Sequence, residues 1–306
     1  MSKLKGFTEE HVQDQSGKCF VVTGANTGIG FEISRVLAAC GARVLLACRD
    51  EEKAKDAMVK IKQYSPQAEL VFLPLDLADL NSVHAAIAKV LAEPRLDALI
   101  NNAGVMTPPL MRTKQGFELQ FGVNHLGTFA LTSLLLPKLA ETSGARVVVT
   151  SSIAHKGGKI DWDDLNAERR YSRMSRYAAS KLANALFFFE LDRRLKASGS
   201  PVIAVGCHPG MAATELGRYM GPLQILLPAT RLFLNTAAQG AWPALQAATG
   251  TIKSGGYYGP TGFMGIRGAS GEAPRADLAL DDSSARQLWD VSIAMTGIDP
   301  HLSSVS

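Results

Sequence analysis

Tyr177 and Lys181 stand four positions apart at the head of RYAASKLANALFFFEL, residues 176–191. On a helix, positions i and i+4 share a face, so the ammonium would lie within reach of the phenol. A free tyrosine titrates near about 10 and holds its proton too tightly to serve as a base at neutral pH. A neighbouring positive charge stabilises the phenolate and lowers that barrier, which makes the pair a candidate general acid/base. Taken alone, Tyr-x-x-x-Lys is just as readily an accidental pair on a solvated helix face. The small residues Ala178, Ala179 and Ser180 beside it let such a helix approach a ligand closely.

A second candidate lies near the start of the chain. TGANTGIG (23–30) follows an apolar run and leads into FEISRVLAAC. Gly24, Gly28 and Gly30 allow a sharp turn, and Asn26, Thr27 and Ile29 complete a loop whose helix start points backbone amides and a positive dipole end outward. A diphosphate is the natural occupant. The spacing Gly-x-x-x-Gly-x-Gly differs from the common Gly-x-Gly-x-x-Gly dinucleotide fingerprint. A later apolar run ends in ACRD (47–50). NAD-specific sites commonly place an acid here for the ribose hydroxyls, whereas Arg49 offers a planar fork suited to a 2′-phosphate. The reading favours NADP(H) over NAD(H); Asp50 is the competing signal, although it can equally cap the following helix. Asp76-Leu77 and NNAG (101–104), with Asn102, Ala103 and Gly104, end two further runs.

These residues need a frame. Apolar runs at 19–22, 43–47, 70–74, 96–100, 146–151 and 202–207 alternate with helical patterns near 29–40, 50–64, 80–92, 117–140 and 177–198. The near-continuous apolar runs suit strands buried on both faces. The strict alternation predicts an α/β Rossmann fold, a doubly wound parallel sheet with helices on both faces. Gly41 marks the expected end of the first helix and Asp79 the start of the third. No repeat or linker is visible, so a single domain over residues 1–306 is expected, with a cofactor half at about 17–150 and a catalytic and substrate half at about 151–306. After residue 210 the rhythm breaks, and glycine-rich SGGYYGPTGF (254–263) predicts no regular helix.

The chain of 306 residues is 46% hydrophobic and 20% charged, which excludes disorder and fibres. A net charge of +4 is spread along the chain, so no nucleic-acid partner is expected. Four cysteines without Cys-x-x-Cys spacing predict neither a disulfide framework nor a metal site. No apolar run is long enough for a membrane span. The polar start shows no signal peptide, and the expectation is a cytoplasmic protein.

Taken in order, TGANTGIG, Asp76, NNAG, VNHLG, the Ser151-Ser152 pair, YAASK and HPG resemble the short-chain dehydrogenase/reductase superfamily over about residues 17–215. ACRD, NNAGVM, FGVNHLGTF, TSSIAH, YAASKLAN and GGYYGP are similar to its retinol-dehydrogenase-like branch. That resemblance implies NADP(H)-dependent interconversion of lipophilic aldehydes or ketones and alcohols. It implies Tyr177 as general acid/base, Lys181 as its electrostatic partner, Ser152 as the donor to the substrate oxygen and Asn124 as anchor of a water relay. Successive strand residues face opposite ways, so only one of the adjacent serines can face the site. The branch's Ser-to-Tyr interval favours Ser152, leaving Ser151 a structural hydroxyl. Pro209 and Gly210 would turn the chain beneath the nicotinamide, and Thr214 would reach a cofactor phosphate.

The four arginines of RRYSRMSR (169–176) read first as a solvated loop, and His125, His155 and His208 as structural. An apolar lid at about 211–235, with Leu223, Ile225, Leu226, Leu227, Leu232, Phe233 and Leu234, suggests a lipophilic substrate or a subunit contact. Relatives of this kind often pair through the two long helices, which leaves a homo-oligomer open. Carbon–carbon double-bond reduction and a non-catalytic dinucleotide sensor are the competing functions. The retained Tyr177 and Lys181 argue against the sensor.

Overall fold

A computed structural model describes residues 6–211 and 234–302. Among the described residues, eight strands form one sheet in the order β3-β2-β1-β4-β5-β6-β7-β8. They are β1 Cys19–Thr23, β2 Arg43–Cys48, β3 Glu69–Pro74, β4 Ala98–Asn101, β5 Arg146–Thr150, β6 Ile203–Cys207, β7 Tyr257–Pro260 and β8 Ser270–Glu272. The first seven pair in parallel, and β8 closes the edge antiparallel to β7. The order reverses between β1 and β4, which opens a crevice at their carboxyl ends.

The apolar strands serve two cores by period-two alternation. Cys19, Val21, Leu45, Leu99 and Val147 enter one core; Phe20, Val22, Leu46, Ile100 and Val148 enter the other. Helices α1 (Gly28–Ala39) and α2 (Glu51–Tyr64) cover the second core. Helix α3 (Leu80–Leu91) and the long helices cover the first. The expected caps are present: Gly41 has φ +87°, and the Asp79 carboxylate accepts from the Asn81 amide at 3.0 Å.

The predicted helix over 117–140 is three pieces. A single turn α4 (Leu119–Phe121) runs into a π-helical turn, Gly122–Leu126, and then α5 (Gly127–Ala140). Helix α6 (Arg173–Ala197) begins four residues before the predicted start. Two helices lie in the tail where no element was expected from the sequence, α7 (Ala237–Thr249) and α8 (Asp282–Thr296). β7 and β8 also fall there: YYGP and SGE are too short and too rich in glycine and proline to announce strands. Of the expected lid, Leu223, Ile225, Leu226, Leu227, Leu232 and Phe233 lie outside the described residues, as does Thr214.

Helix α6 is buried along most of its length and packs on β5, β6 and α8. Gly206 in β6 makes that approach feasible, because a Cβ there would run into the Phe188 ring. Phe188 is itself fully buried and stacks on Tyr257 at 5.8 Å. Replacing Gly206 with alanine should cost about 1–3 kcal/mol of stability by overpacking. Chemical denaturation checks this, and an unchanged midpoint would show that α6 can shift freely.

Candidate active site

A cleft of about 550 Å³ opens at the carboxyl ends of β1, β2, β4 and β5. Its outer part is the glycine loop. Gly24 and Gly28 adopt φ +65° and +56°, a conformation glycine takes without strain. A Cβ on Gly30 would collide with the Gly24 carbonyl oxygen, so this glycine lets α1 start against the loop. The N-cap of α1, Thr27, spends no side-chain hydrogen bond on the helix, and its first turn holds no acidic residue. Unsatisfied amides therefore face the cleft, where an anion would be favoured. Asn26, Thr27, Gly28, Ile29 and Gly30 all line it.

Arg49 stands at the cleft wall after β2 and makes no hydrogen bond or ion pair among the described residues. Asp50 is occupied otherwise. It caps α2 by accepting from the Lys53 amide at 3.1 Å, which holds its carboxyl below the usual range. Lys53, a residue sequence reasoning missed, also lines the cleft and reaches Asp50 at 3.3 Å. Its position four after Arg49 on a helix start was the available signal.

Asp76 and Leu77 line the next wall, and Asp76 Oδ1 accepts from the Ala78 amide at 2.9 Å. Asn102, Ala103 and Gly104 follow from β4. Their backbone is held by Thr23, which sequence reasoning also missed. The fully buried Thr23 hydroxyl accepts from the Asn102 and Ala103 amides at 3.0 and 2.9 Å, and Asn102 Nδ2 donates to Thr23 O at 2.9 Å. A threonine closing a strand carries no pattern of its own.

Thr150, Ser151, Tyr177 and Lys181 line the inner end of the cleft, and Ser152 lies behind Ser151 beside Tyr177. Lys181 Nζ lies 6.0 Å from the centre of the Tyr177 ring and donates to Thr150 O at 3.2 Å. The Ser152 side chain lies beside the Tyr177 phenol, and its Oγ accepts from the Ala154 amide at 3.2 Å. Burial pushes the Tyr177 phenol above its ordinary value, and the Ser152 contact works against that rise. Burial pulls the Lys181 ammonium down to about 8. The two serines part, although both lie just past β5, which ends at Thr150, so strand alternation does not set their directions. Ser151 Oγ is buried and donates to Lys181 O at 2.7 Å, while Ser152 begins the turn Ile153–Gly157 beside Tyr177.

Asn124 sits fully buried in the π turn. Its Oδ1 accepts from the Val105 amide at 2.7 Å, and Nδ2 donates to Val105 O and Ser180 Oγ, both at 2.9 Å. A Cβ on Gly104 would touch Asn124 Oδ1 at 3.1 Å and Lys181 Nζ at 3.4 Å, so Gly104 leaves these groups their shared space. Pro209 reaches the cleft wall; Gly210 instead makes the turn after it, at φ +71°, with its amide on His208 Nδ1 at 3.2 Å. Of the arginine cluster, Arg169, Arg170 and Arg173 are exposed. Arg176 differs, pairing with the buried Asp164 at 3.1 Å just before Tyr177.

A cleft at the switch point of a parallel sheet, with a glycine loop at one end and Tyr177 and Lys181 at the other, suits a nicotinamide-dependent oxidoreductase of the short-chain type. The chain belongs to that family: residues 18–222 match the short chain dehydrogenase model. It is retinol-dehydrogenase-like within it. The human protein "Retinol dehydrogenase 14" is 40% identical, with 92% of this chain and 87% of that protein covered. Human "Retinol dehydrogenase 12" is 43% identical over the same shares. A solved structure of an uncharacterized protein from Mycobacterium Paratuberculosis superposes with a TM-score of 0.80 at 38% identity, covering 96% of this chain and 98% of that one.

An unfolded lysine titrates near about 10.4, whereas folded Lys181 does so at about 8. Between these values the unfolded chain keeps the proton and the folded chain releases it, so Lys181 makes stability rise with pH through this window. Below it the buried charge opposes folding in full. Lys181→Met should therefore stabilise the cofactor-free protein near neutral pH by on the order of 1–3 kcal/mol, and by less above the window. Thermal midpoints across pH check the sign; a gain that is the same on both sides would refute the linkage.

Proposed function

We propose that this protein is an NADP(H)-dependent oxidoreductase interconverting a lipophilic aldehyde or ketone and its alcohol, with Tyr177 as general acid/base. The observation that carries the reading is the buried Tyr177–Lys181 pair, one helical turn apart with Ser152 beside the phenol, at the inner end of a cleft that begins at the glycine loop. The nicotinamide dinucleotide supplies the hydride. The chain's own residues supply position, a hydrogen-bond donor and a proton.

In the reducing direction negative charge develops on the substrate oxygen, which Ser152 Oγ stabilises by donation while Tyr177 gives its proton. In the reverse direction Tyr177 accepts the alcohol proton. Lys181 biases the phenol toward release, an effect that burial strengthens by lowering the local dielectric. Asn124 spends both amide hydrogens on Val105 and Ser180. What it offers a water chain is the remaining lone pair of Oδ1, beside Lys181 Nζ across Gly104.

NADP(H) is favoured over NAD(H) by Arg49 at the cleft wall and by Asp50 being committed to capping α2. A lipophilic substrate suits the apolar wall formed by Met106, Met111, Leu119 and Val123, and accords with the retinol dehydrogenase relatives.

Tyr177→Phe should lower kcat for NADPH-coupled reduction of a long-chain aldehyde by at least about 100-fold. Steady-state absorbance assays check this, and near-native turnover would defeat the assignment. Arg49→Ala should raise the KM for NADPH roughly tenfold or more, the loss of a charge-assisted hydrogen bond, with little change for NADH. Equal effects on the two cofactors would remove the 2′-phosphate reading.

A further inference from the structure

We propose that His155 is a positioning residue, one that holds Ser152 in its orientation toward Tyr177 and anchors it to the C-terminal part of the chain at Ala276. The inference rests on the reductase reading above. Three residues after Ser152, the His155 ring is fully buried. Its Nδ1 lies 2.6 Å from Ser152 O, and its Nε2 lies 3.1 Å from Ala276 N. A carbonyl only accepts and a backbone amide only donates, so both ring nitrogens have fixed roles. Nδ1 carries the hydrogen, Nε2 accepts, and the ring is neutral in a single tautomer. Burial disfavours the charged form, and the neighbouring Lys156 acts in the same direction. The other titratable groups facing the ring are His208 and Tyr257, the latter edge-on at 5.5 Å.

The geometry argues for positioning rather than filling. Ser152 O is held twice by the same residue, by the His155 amide at 3.0 Å and by Nδ1 at 2.6 Å. Those bonds fix the Ser152 peptide two residues past β5, and the hydroxyl on it caps the Ile153–Gly157 turn by accepting from the Ala154 amide at 3.2 Å, beside the Tyr177 phenol. On its other side the ring joins Ala276, which N-caps the short 3₁₀ turn Asp277–Leu280 that packs on α6. The ring therefore references Ser152 to the helix that carries Tyr177 and Lys181. A displacement of about 1 Å between reacting groups is enough to cost up to about 100-fold in rate.

Two substitutions separate the two bonds. His155→Ala removes both. In His155→Asn the side-chain Nδ2 stands where Nδ1 stood and can still donate to Ser152 O, but it cannot reach Ala276. With NADPH and a long-chain aldehyde, His155→Ala should lower kcat about tenfold or more while the KM for NADPH changes less than about twofold. His155→Asn should recover most of the lost kcat even if its thermal midpoint stays low. Histidine 15N NMR of the wild-type protein should show His155 as the neutral Nδ1–H tautomer near neutral pH. The proposal is overturned by a native kcat in His155→Ala, by equal kcat losses in both variants that follow their thermal midpoints, or by an Nε2–H tautomer. If His155→Ala does not fold, the asparagine variant and the tautomer decide the matter. A Tyr177→Phe variant as active as wild type would defeat the reductase reading instead, and the tautomer measurement, which needs no turnover, would still test the His155–Ser152 bond.

Discussion

The end of β5 and the first turns of α6 are laced together by three buried hydrogen bonds. Ser151 Oγ donates to Lys181 O at 2.7 Å, and Lys181 Nζ and Asn184 Nδ2 each donate to Thr150 O at 3.2 Å. The apolar packing of α6 on the sheet is strong but non-directional, and on its own it would tolerate small rotations and slides of the helix. Directional bonds to a strand end remove that freedom. They set which face of α6 meets the cleft, and hence where Tyr177 and Lys181 stand relative to Ser152. Strand β5, in turn, is located by its parallel register with β4 and β6, so the whole sheet acts as the ruler for a few side chains.

Burying this junction has an electrostatic consequence. Tyr177 rises and Lys181 falls, and both shifts disfavour the charged forms. Charge separation within the pair is therefore harder than in water, and each polar contact that remains counts for more. The Ser152 hydroxyl is the contact that favours the phenolate. The neighbouring histidines add no charge: burial brings His125 down to about 3 and His208 to about 4, and His155 is lowered as well. They act as fixed hydrogen-bonding rings in a region where a titrating group would disturb the Tyr177–Lys181 balance.

The parts of this arrangement that the sequence showed are those built from local spacing. Strands such as RVLLAC are apolar on both faces because each face meets its own core, and the glycine loop is read from its place between β1 and α1. Asp50 could be read two ways until its carboxylate was seen on the Lys53 amide. What was hidden depends on distant partners. Thr23 bonds to residues of the β4 end, and His155 bonds to Ala276, and neither contact leaves a periodic trace. Helix α7 was masked by Gly240 and Pro243 within it. Helix α8 did carry helical spacing at Ala285, Leu288, Trp289 and Ser292, but Ser292 breaks the apolar stripe.

Ser292 breaks that stripe for a structural reason. Its hydroxyl meets His125 Nε2 at 2.8 Å, and His125 is the residue after Asn124 in the π turn. Around this bond, Trp289 packs on Phe129 at 5.4 Å and on Phe187 at 6.0 Å, and Arg194 lies 4.5 Å over the Trp289 ring. These aromatic faces of α5 and α6 are thus core, closed by the chain's own last described helix. A π turn accommodates one residue more than an α-helical turn and is costly unless its surroundings hold it. Here α8 grips the residue next to Asn124, Val105 and Ser180 grip Asn124 itself, and Ala276 reaches Ser152 through His155. The C-terminal region that shows least in the sequence thereby backs the site from behind, while the glycine loop and Arg49 frame it from the front.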